Sequence, residues 1–121
     1  MDLNQPSNAC DGKDVALRYL HAFCKGDIDK IESLLLPDLV FEGPYLSCNS
    51  SEEYIAHLRQ DPPESASFRV LNILREGNLI VVVYEYVKLN CDMVIEQEFQ
   101  VSNQRIDRTV LRISKVQDRR D

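Results

Sequence analysis

The stretch FRVLNILREGNLIVVVYEYVKLN, residues 68–90, decides the fold class of this chain. Phe68 to Arg75 alternates between two faces in the manner of a strand, and Leu79 to Leu89 is a longer run rich in valine and tyrosine. The Gly77-Asn78 dipeptide between them is typical of a two-residue hairpin turn, because both residues tolerate a positive φ. The stretch therefore predicts two long antiparallel strands joined by a tight turn.

Two further strands continue this pattern towards the C-terminus. Turns are predicted at Asn90-Cys91 and at Ser102-Asn103-Gln104. The strand between them has a polar face and an apolar face that only Gln97 interrupts; the apolar positions are Met93, Ile95, Phe99 and Val101. The last strand, Arg105 to Val116, changes apolar phase after Val110, which predicts either a β-bulge or a strand covered on both faces.

The first part of the chain has helical periodicity instead. An apolar stripe at helical spacing predicts a first helix that starts at Lys13 and is ended by Gly26. Asp27 is placed to cap a second helix, which is predicted to run until Pro37.

A short strand and a third helix complete this half of the chain. Leu39 to Glu42 is predicted to be the strand, because it is short, apolar and closed by a Gly-Pro turn. After a loop, Ser50 and Glu53 have the spacing of a helix-capping box. The third helix is therefore predicted to begin after Ser50 and to end at Pro62-Pro63.

This order of elements predicts an α+β domain, with three N-terminal helices packed on a curved, mainly antiparallel sheet. Residues 1–12 are polar and predict a flexible tail. Residues 13–121 are predicted to form a single domain, because a chain of 121 residues has room for one core. A sheet and helices arranged in this way can enclose a cavity.

Charge and hydropathy exclude several kinds of partner. Twenty acidic residues against fourteen basic ones give a net charge of −6, which would repel a phosphate backbone and argues against a nucleic-acid partner. The longest unbroken apolar run, Leu79 to Val83, is too short to span a bilayer. The first residues also lack the basic and apolar regions of an export signal. We therefore expect a cytoplasmic protein with no membrane partner.

The cysteines give no sign of a metal site. The chain contains Cys10, Cys24, Cys48 and Cys91, widely spaced and without a CxxC or Cys/His motif. The sequence therefore predicts free thiols and no metal ligands. A glycine-rich phosphate loop is also missing, so no cofactor is expected.

The runs Tyr19 to Asp29 and Leu34 to Pro44 resemble the opening of the nuclear transport factor 2-like superfamily, especially its SnoaL-like polyketide cyclase and ketosteroid isomerase branch. In that branch an aromatic helix leads through a Gly-Asp corner into a Leu-rich helix, and the first strand ends at a proline. The resemblance continues to Glu98–Ile106 and so covers nearly the whole chain after residue 12. It implies a cystatin-like α+β cone, a fold that hosts enzymes, binding proteins and assembly modules alike.

The resemblance also implies a set of catalytic residues. In the ketosteroid isomerases a tyrosine of the first helix donates to the dienolate oxygen, and Tyr19 stands at the matching position. The isomerase base is an aspartate just before the strand-ending proline, where this chain has Gly43. Glu42 is adjacent, but strand alternation directs it to the other face unless the strand is bulged. The second oxyanion donor falls approximately on Gln97, whose amide can donate without a raised pKa.

Each of these side chains also has a purely structural explanation. Tyr19 fits a core tyrosine with a satisfied hydroxyl, and Gln97 fits either a cavity wall or a buried hydrogen-bond network. Glu42 fits a solvated strand residue, and Glu85 fits either a sheet edge or a cavity mouth. A further group of aromatic residues is predicted to form core or ligand-binding wall: Phe23, Phe41, Tyr45, Tyr54 and Phe99.

Two functions therefore stand in competition. The first is binding of a hydrophobic, ring-containing small molecule in an apolar cavity, with Tyr19 and Gln97 as the polar pair. This function extends to cofactor-independent isomerase, cyclase or lyase chemistry, in which the donors stabilise an enolate. The second is a non-catalytic association domain that forms a homodimer through its sheet, because the strand Leu79 to Leu89 is apolar on both faces.

Overall fold

The computed structural model of this protein describes residues 12–118, which contain three helices and six strands. The helices are α1 (Gly12–Lys25), α2 (Ile28–Ser33) and α3 (Ser51–Gln60). The strands are β1 (Leu35–Glu42), β2 (Ser47–Cys48), β3 (Ser67–Glu76), β4 (Leu79–Lys88), β5 (Cys91–Ser102) and β6 (Arg105–Asp118). The predicted α+β class is confirmed.

The strands form one mixed sheet in the order β2-β1-β6-β5-β4-β3. The strands β3 to β6 are successive antiparallel neighbours, as the sequence predicts for a meander. β1 pairs in parallel with β6, the last strand of the chain, so the sheet is mixed. This parallel pair attaches β1, and with it β2, to the β6 edge of the meander.

The predicted boundary between α1 and α2 is confirmed. Gly26 has a φ of +70°, which a glycine adopts without strain at the end of a helix. The side chain of Asp27 accepts a hydrogen bond from the Lys30 N–H at 3.2 Å and caps α2. α1 begins at Gly12, one residue earlier than predicted, and the remainder of the predicted tail, residues 1–11, lies outside the described residues.

The second helix is shorter and the first strand longer than the sequence predicts. α2 ends at Ser33 with Leu34 as its C-cap, and β1 runs from Leu35 through Pro37. A proline fits inside this strand because the pairing of β1 with β6 shifts register between Leu35 and Val40. The missing N–H of Pro37 therefore falls in an irregular part of the ladder.

The turns of the meander follow the predicted pattern, with one shift. Gly77 has a φ of +61° in the first turn, and Asn103 and Gln104 have φ values of 52° and 65° in the last. Such positive values match the twist of the flanking strands. The middle turn is Leu89-Asn90, one residue earlier than predicted.

Bulges explain the change of apolar phase in β6. The pairing with β5 shifts twice, so that Asp107 and Ser114 are extra residues without a partner position. The first bulge places Ile106 and Thr109, three residues apart, on the same buried face. The prediction of a bulge is confirmed: the bulge that changes the apolar phase lies at Asp107, before Val110, and a second one lies at Ser114.

The core lies between the helices and the inner face of the sheet. β4 and β5 contribute alternate residues to it, as the sequence pattern predicts: Ile80, Val82, Tyr84 and Tyr86 from β4, and Ile95, Gln97, Phe99 and Val101 from β5. The outer face carries half-buried valines and ion pairs. No helix within residues 12–118 is long and apolar enough to cross a membrane.

We predict that Ser50→Ala lowers the free energy of unfolding by about 1 kcal/mol, because Ser50 is the N-cap of α3. Its Oγ accepts the Glu53 N–H at 3.1 Å, and alanine cannot replace that acceptor. Urea denaturation measures the change. The exposed loop residue Ser65 provides a matched control, and Ser65→Ala is expected to change stability by less than about 0.5 kcal/mol. Equal effects of the two substitutions would contradict the cap.

Candidate functional site

A cavity of about 570 Å³ lies between α3, the loop after β1 and the inner face of the sheet. Its volume is within the range of small-molecule sites, which is roughly 300–1,000 Å³. The wall is predominantly apolar and aromatic, with Phe23, Phe41, Leu58, Met93, Ile95, Leu111 and Ile113 among its residues. Charged residues that line it, Asp61, Glu64 and Lys88, are at least partly exposed and mark the solvent side.

The closed end of the cavity adjoins a second, smaller void of about 20 Å³. The two share Phe23, Tyr84, Tyr86 and Leu111 as wall residues, and the void also contacts two buried polar side chains, Tyr19 and Gln97. Its volume suits a single water molecule or one oxygen atom of a ligand.

Two tyrosines from different helices meet beside this void. The hydroxyl of Tyr19, on α1, is hydrogen-bonded to the hydroxyl of Tyr54, on α3. Both residues are almost completely buried. The Tyr19 ring contacts Phe99 edge to face, with ring centroids 5.5 Å apart, and Tyr54 stacks on Phe41 at 4.6 Å. These ring contacts fix the positions of the two hydroxyl groups.

The Gln97 side chain extends the polar cluster across the sheet. Tyr84 donates from its hydroxyl to Gln97 Oε1 at 2.7 Å, and Gln97 Nε2 donates to Thr109 Oγ1 at 2.8 Å. Gln97 also borders the same void as Tyr19 and lowers the pKa of its hydroxyl. The five side chains Tyr19, Tyr54, Tyr84, Gln97 and Thr109 are named the polar network below. Gln97 therefore borders a void and is also part of a buried hydrogen-bond network, so it combines the two structural alternatives.

The phenols of the polar network are neutral donors. Burial raises the pKa of Tyr19 to about 12, and the neighbouring Tyr54 and Gln97 side chains offset only part of this effect. Burial likewise raises the pKa values of Tyr54 and Tyr84 well above their ordinary value. Burial also raises the pKa of Tyr86 to about 12. The site can therefore donate hydrogen bonds to a ligand at neutral pH, but its tyrosines cannot act as bases.

The structure brings most of the predicted aromatic residues to the cavity. Phe23, Phe41 and Tyr54 form part of its wall. Tyr45 also borders it, but its side chain is 90% exposed, so it lies at the entrance. Phe99 is not on the wall: it is fully buried behind Tyr19, which it contacts with its ring.

Glu42 and Glu85 point away from the cavity. Strand alternation buries Phe41 and exposes Glu42, whose carboxylate pairs with Arg108 at 3.2 Å on the outer face. Glu85 pairs with Arg69 at 3.0 Å, across the β3–β4 pair. The structure therefore does not bring Glu42 together with Tyr19 and Gln97.

Gly43 lines the cavity at the position where the resemblance implies an aspartate base. A Cβ at this position would lie 3.1 Å from Cε2 and 3.2 Å from Cζ of Phe41. A side chain at residue 43 would therefore require the Phe41 ring to move by a few tenths of an ångström.

Sequence reasoning did not single out Tyr84, Tyr86 or Thr109. Tyr84 and Tyr86 are in phase with the buried Ile80 and Val82 of β4, so alternation alone could have shown two phenols on an inner face. Thr109 could not be found in this way, because the bulge at Asp107 shifts its phase.

The sequence pattern of the SnoaL-like domain family matches residues 16–109 of this chain. The chain belongs to the SnoaL-like domain family. This confirms the resemblance to the nuclear transport factor 2-like superfamily, of which the family is part. No curated protein sequence is significantly similar to this SnoaL-like chain.

Solved structures with the same fold carry names of several kinds. An NTF-2 like protein of unknown function from Burkholderia xenovorans superposes with a TM-score of 0.76 at 17% identity, over 90% of this chain and 87% of its own. An LEH-like epoxide hydrolase from M. tuberculosis superposes with a TM-score of 0.74 at 16% identity, over 85% of this chain and 82% of its own. A protein described as a SnoaL-like polyketide cyclase from Shewanella putrefaciens superposes with a TM-score of 0.72 at 14% identity, over 93% of this chain and 90% of its own. At these identities the similarity establishes the SnoaL-like fold and leaves the activity open.

Away from the cavity, the SnoaL-like chain brings together three side chains with metal-ligating atoms. Cys48 of β2 lies beside Glu53 and His57 of α3, and one ligand atom from each lies within 4.8 Å of the others. Sequence spacing did not predict this cluster, because it contains neither paired cysteines nor a Cys/His motif of familiar spacing.

We predict that the buried phenols of this SnoaL-like protein cause no change in its free energy of unfolding below pH 10. Between pH 10 and 12 they should lower that free energy. Unfolded tyrosines ionise near pH 10, whereas Tyr19 and Tyr86 retain their protons up to about pH 12. The loss is roughly 2–3 kcal/mol for a fully buried phenol such as Tyr19. Denaturant unfolding at a series of pH values measures it, and the decline should be shallower in Tyr19→Phe. An equal decline in that variant would contradict the assignment.

Proposed function

We propose that this SnoaL-like protein binds a hydrophobic, ring-containing small molecule that carries a carbonyl or phenolic oxygen. The observation that carries the proposal is that an apolar cavity shares four wall residues with a small void at the polar network. The apolar wall accounts for the ring system, and the void accounts for one oxygen atom.

Burial of apolar surface supplies most of the proposed affinity. The aromatic wall residues, among them Phe23, Phe41 and Tyr86, offer flat faces on which a planar ligand can pack. A cavity of this size encloses a molecule of a few fused rings. Such a ligand would enter from the side of Tyr45, where the wall is exposed.

Hydrogen bonding at the closed end supplies the proposed orientation. Tyr19 and Gln97 both border the void, and the hydroxyl of Tyr19 is supported by Tyr54. An oxygen placed there would accept hydrogen bonds from neutral, buried donors. Donors held in this way stabilise negative charge that develops on a ligand oxygen, as in an oxyanion hole.

The missing base limits the chemistry that we propose. The ketosteroid isomerase and cyclase resemblance, together with a structural neighbour named as a polyketide cyclase, makes isomerase, cyclase or lyase chemistry the relevant class. Those reactions need a group that removes a proton, and this chain has Gly43 at the position of the isomerase base. The described carboxylates on the wall, Asp61 and Glu64, are exposed on its solvent side. The proposed activity is therefore binding with polarisation of the ligand oxygen, without a cofactor.

We predict that planar polycyclic ketones or phenols raise the melting temperature of the protein. A ligand at one hundred times its Kd should add about 2.7 kcal/mol to the free energy of unfolding. Tyr19→Phe removes the hydroxyl beside the void and should weaken the binding by about tenfold, which corresponds to one lost hydrogen bond. A thermal-shift screen followed by calorimetric titration measures both effects.

Tyr45→Phe is the matched control, since it removes a phenolic hydroxyl at the exposed entrance. It should leave the affinity within about twofold of that of the unmodified protein. A panel without any binding ligand, or equal affinity of the unmodified protein and Tyr19→Phe, would contradict the proposed site.

A second proposed function is self-association through the outer face of the sheet. Half-buried side chains form an apolar area there, consisting of Leu79, Val81, Val83, Val87, Val94 and Val110, and Leu74 beside Val81 is 59% exposed. Arginines and glutamates on the same face, such as Arg112 and Glu98 at 2.7 Å, give it charges of both signs. A face of mixed charge with an apolar centre is compatible with a second copy related by a two-fold axis.

We predict that the protein is a dimer at micromolar concentration and that Val81→Glu makes it a monomer, because a charge would be buried in the apolar area. Light scattering coupled to size-exclusion chromatography measures the mass. Ala56→Glu, at an exposed position of α3, is the control and should remain dimeric. A monomeric unmodified protein would rule out this function and leave ligand binding untouched.

A further inference from the structure

We infer that Cys48, Glu53 and His57 bind one zinc ion at the junction of β2 and α3, with one coordination position left for water or another ligand. This site is separate from the cavity and its polar network, and it does not depend on the proposed function.

The local chain path brings the three residues together. Cys48 is the last residue of β2, and only Asn49 and the N-cap Ser50 separate it from α3. Glu53 and His57 are four residues apart on α3, so both lie on the same side of that helix. A single short segment therefore supplies the whole ligand set.

Hydrogen bonds already orient the first turn of α3. The Glu53 N–H donates to Ser50 Oγ at 3.1 Å, and Glu53 Oε1 accepts the Asn49 N–H at 3.0 Å. The second bond holds the carboxylate over the end of β2, next to Cys48. Its other carboxylate oxygen is available to a metal while this bond is kept, so a metal would join a preorganised group.

The distances are close to those of a zinc site. One ligand atom from each residue lies within 4.8 Å of the other two. Zinc binds sulfur at about 2.3 Å and nitrogen or oxygen at about 2.0–2.1 Å, which separates ligand atoms by about 3.5 Å. The remaining approach can come mainly from His57, whose exposed side chain can change rotamer, while small torsional adjustments of Glu53 keep its bond to Asn49. Cys48 is only 1% exposed and stays in place as the fixed ligand.

The donor set selects among metals. A thiolate, an imidazole and a carboxylate together suit Zn²⁺, whereas Mg²⁺ and Ca²⁺ prefer oxygen ligands alone. Three protein ligands also leave a tetrahedral zinc ion with one open position for water or another ligand.

A bound zinc ion would tie β2 to α3. α3 carries Tyr54 of the polar network on its buried face, and β2 pairs with β1 at Phe41, on which Tyr54 stacks. Metal binding should therefore stabilise this wall of the fold, and the melting temperature should rise with zinc concentration.

Titration of the full chain with Co²⁺ and Zn²⁺, after removal of any affinity tag, tests the site. Cobalt should bind with one equivalent and produce a thiolate-to-cobalt charge-transfer band together with the visible absorption of a tetrahedral complex. Zinc should displace it and abolish both signals. Cys48→Ser should remove the charge-transfer band, and His57→Gln should weaken zinc binding by at least about tenfold.

Two further variants are matched controls. Cys91→Ser removes another described thiol, and His21→Gln removes an exposed histidine of α1. Both should bind one zinc ion with unchanged affinity. Because Cys48 is buried and its variant can lose stability, His57→Gln and Glu53→Gln, at exposed positions, provide independent evidence. Absence of a one-equivalent cobalt complex would overturn the site. Unchanged zinc affinity in His57→Gln would also overturn it, as would a loss of zinc affinity in Cys91→Ser or His21→Gln.

Discussion

The hydrogen bonds of the buried Gln97 amide are the constraint on which the rest of the structure depends. An amide on the inner face of a central strand costs about 1–3 kcal/mol if it stays unpaired, so both neighbouring strands must supply partners. Tyr84 of β4 and Thr109 of β6 do so. A register slip of one residue on either side would turn these partners to the outer face. The amide thus fixes the alignment of three strands where the cavity closes.

The same network connects the sheet to the helices. Tyr19 of α1 is bonded to Tyr54 of α3, and Tyr19 borders the same void as Gln97, so two helices and three strands contribute to one cluster of neutral polar side chains. The closed end of the cavity is consequently polar but uncharged. Gly43 stands where the isomerase resemblance implies a base, and a Cβ there would lie 3.1 Å from the Phe41 ring. Binding of an uncharged oxygen is the chemistry that such an environment favours.

Features that depend on neighbours in sequence could be predicted well. Strand alternation identified the buried face of β5 and the meander, and the capping residues Asp27 and Ser50 marked the starts of α2 and α3. Features that depend on residues far away in the sequence could not be predicted. The extension of β1 through Pro37 requires β6 beside it, and the bulge at Asp107 is defined only by pairing with β5.

For the site, the sequence by itself determined that Tyr19 and Gln97 are polar groups on buried faces, because period and alternation assign each side chain to a face. Only the tertiary structure decided which groups meet. Strand register joined Gln97 to Tyr84 and Thr109, while alternation in a paired β1 turned Glu42 outward to Arg108. The Cys48, Glu53 and His57 cluster also needed coordinates, since the angle between β2 and α3 is set by packing and not by the spacing of the residues.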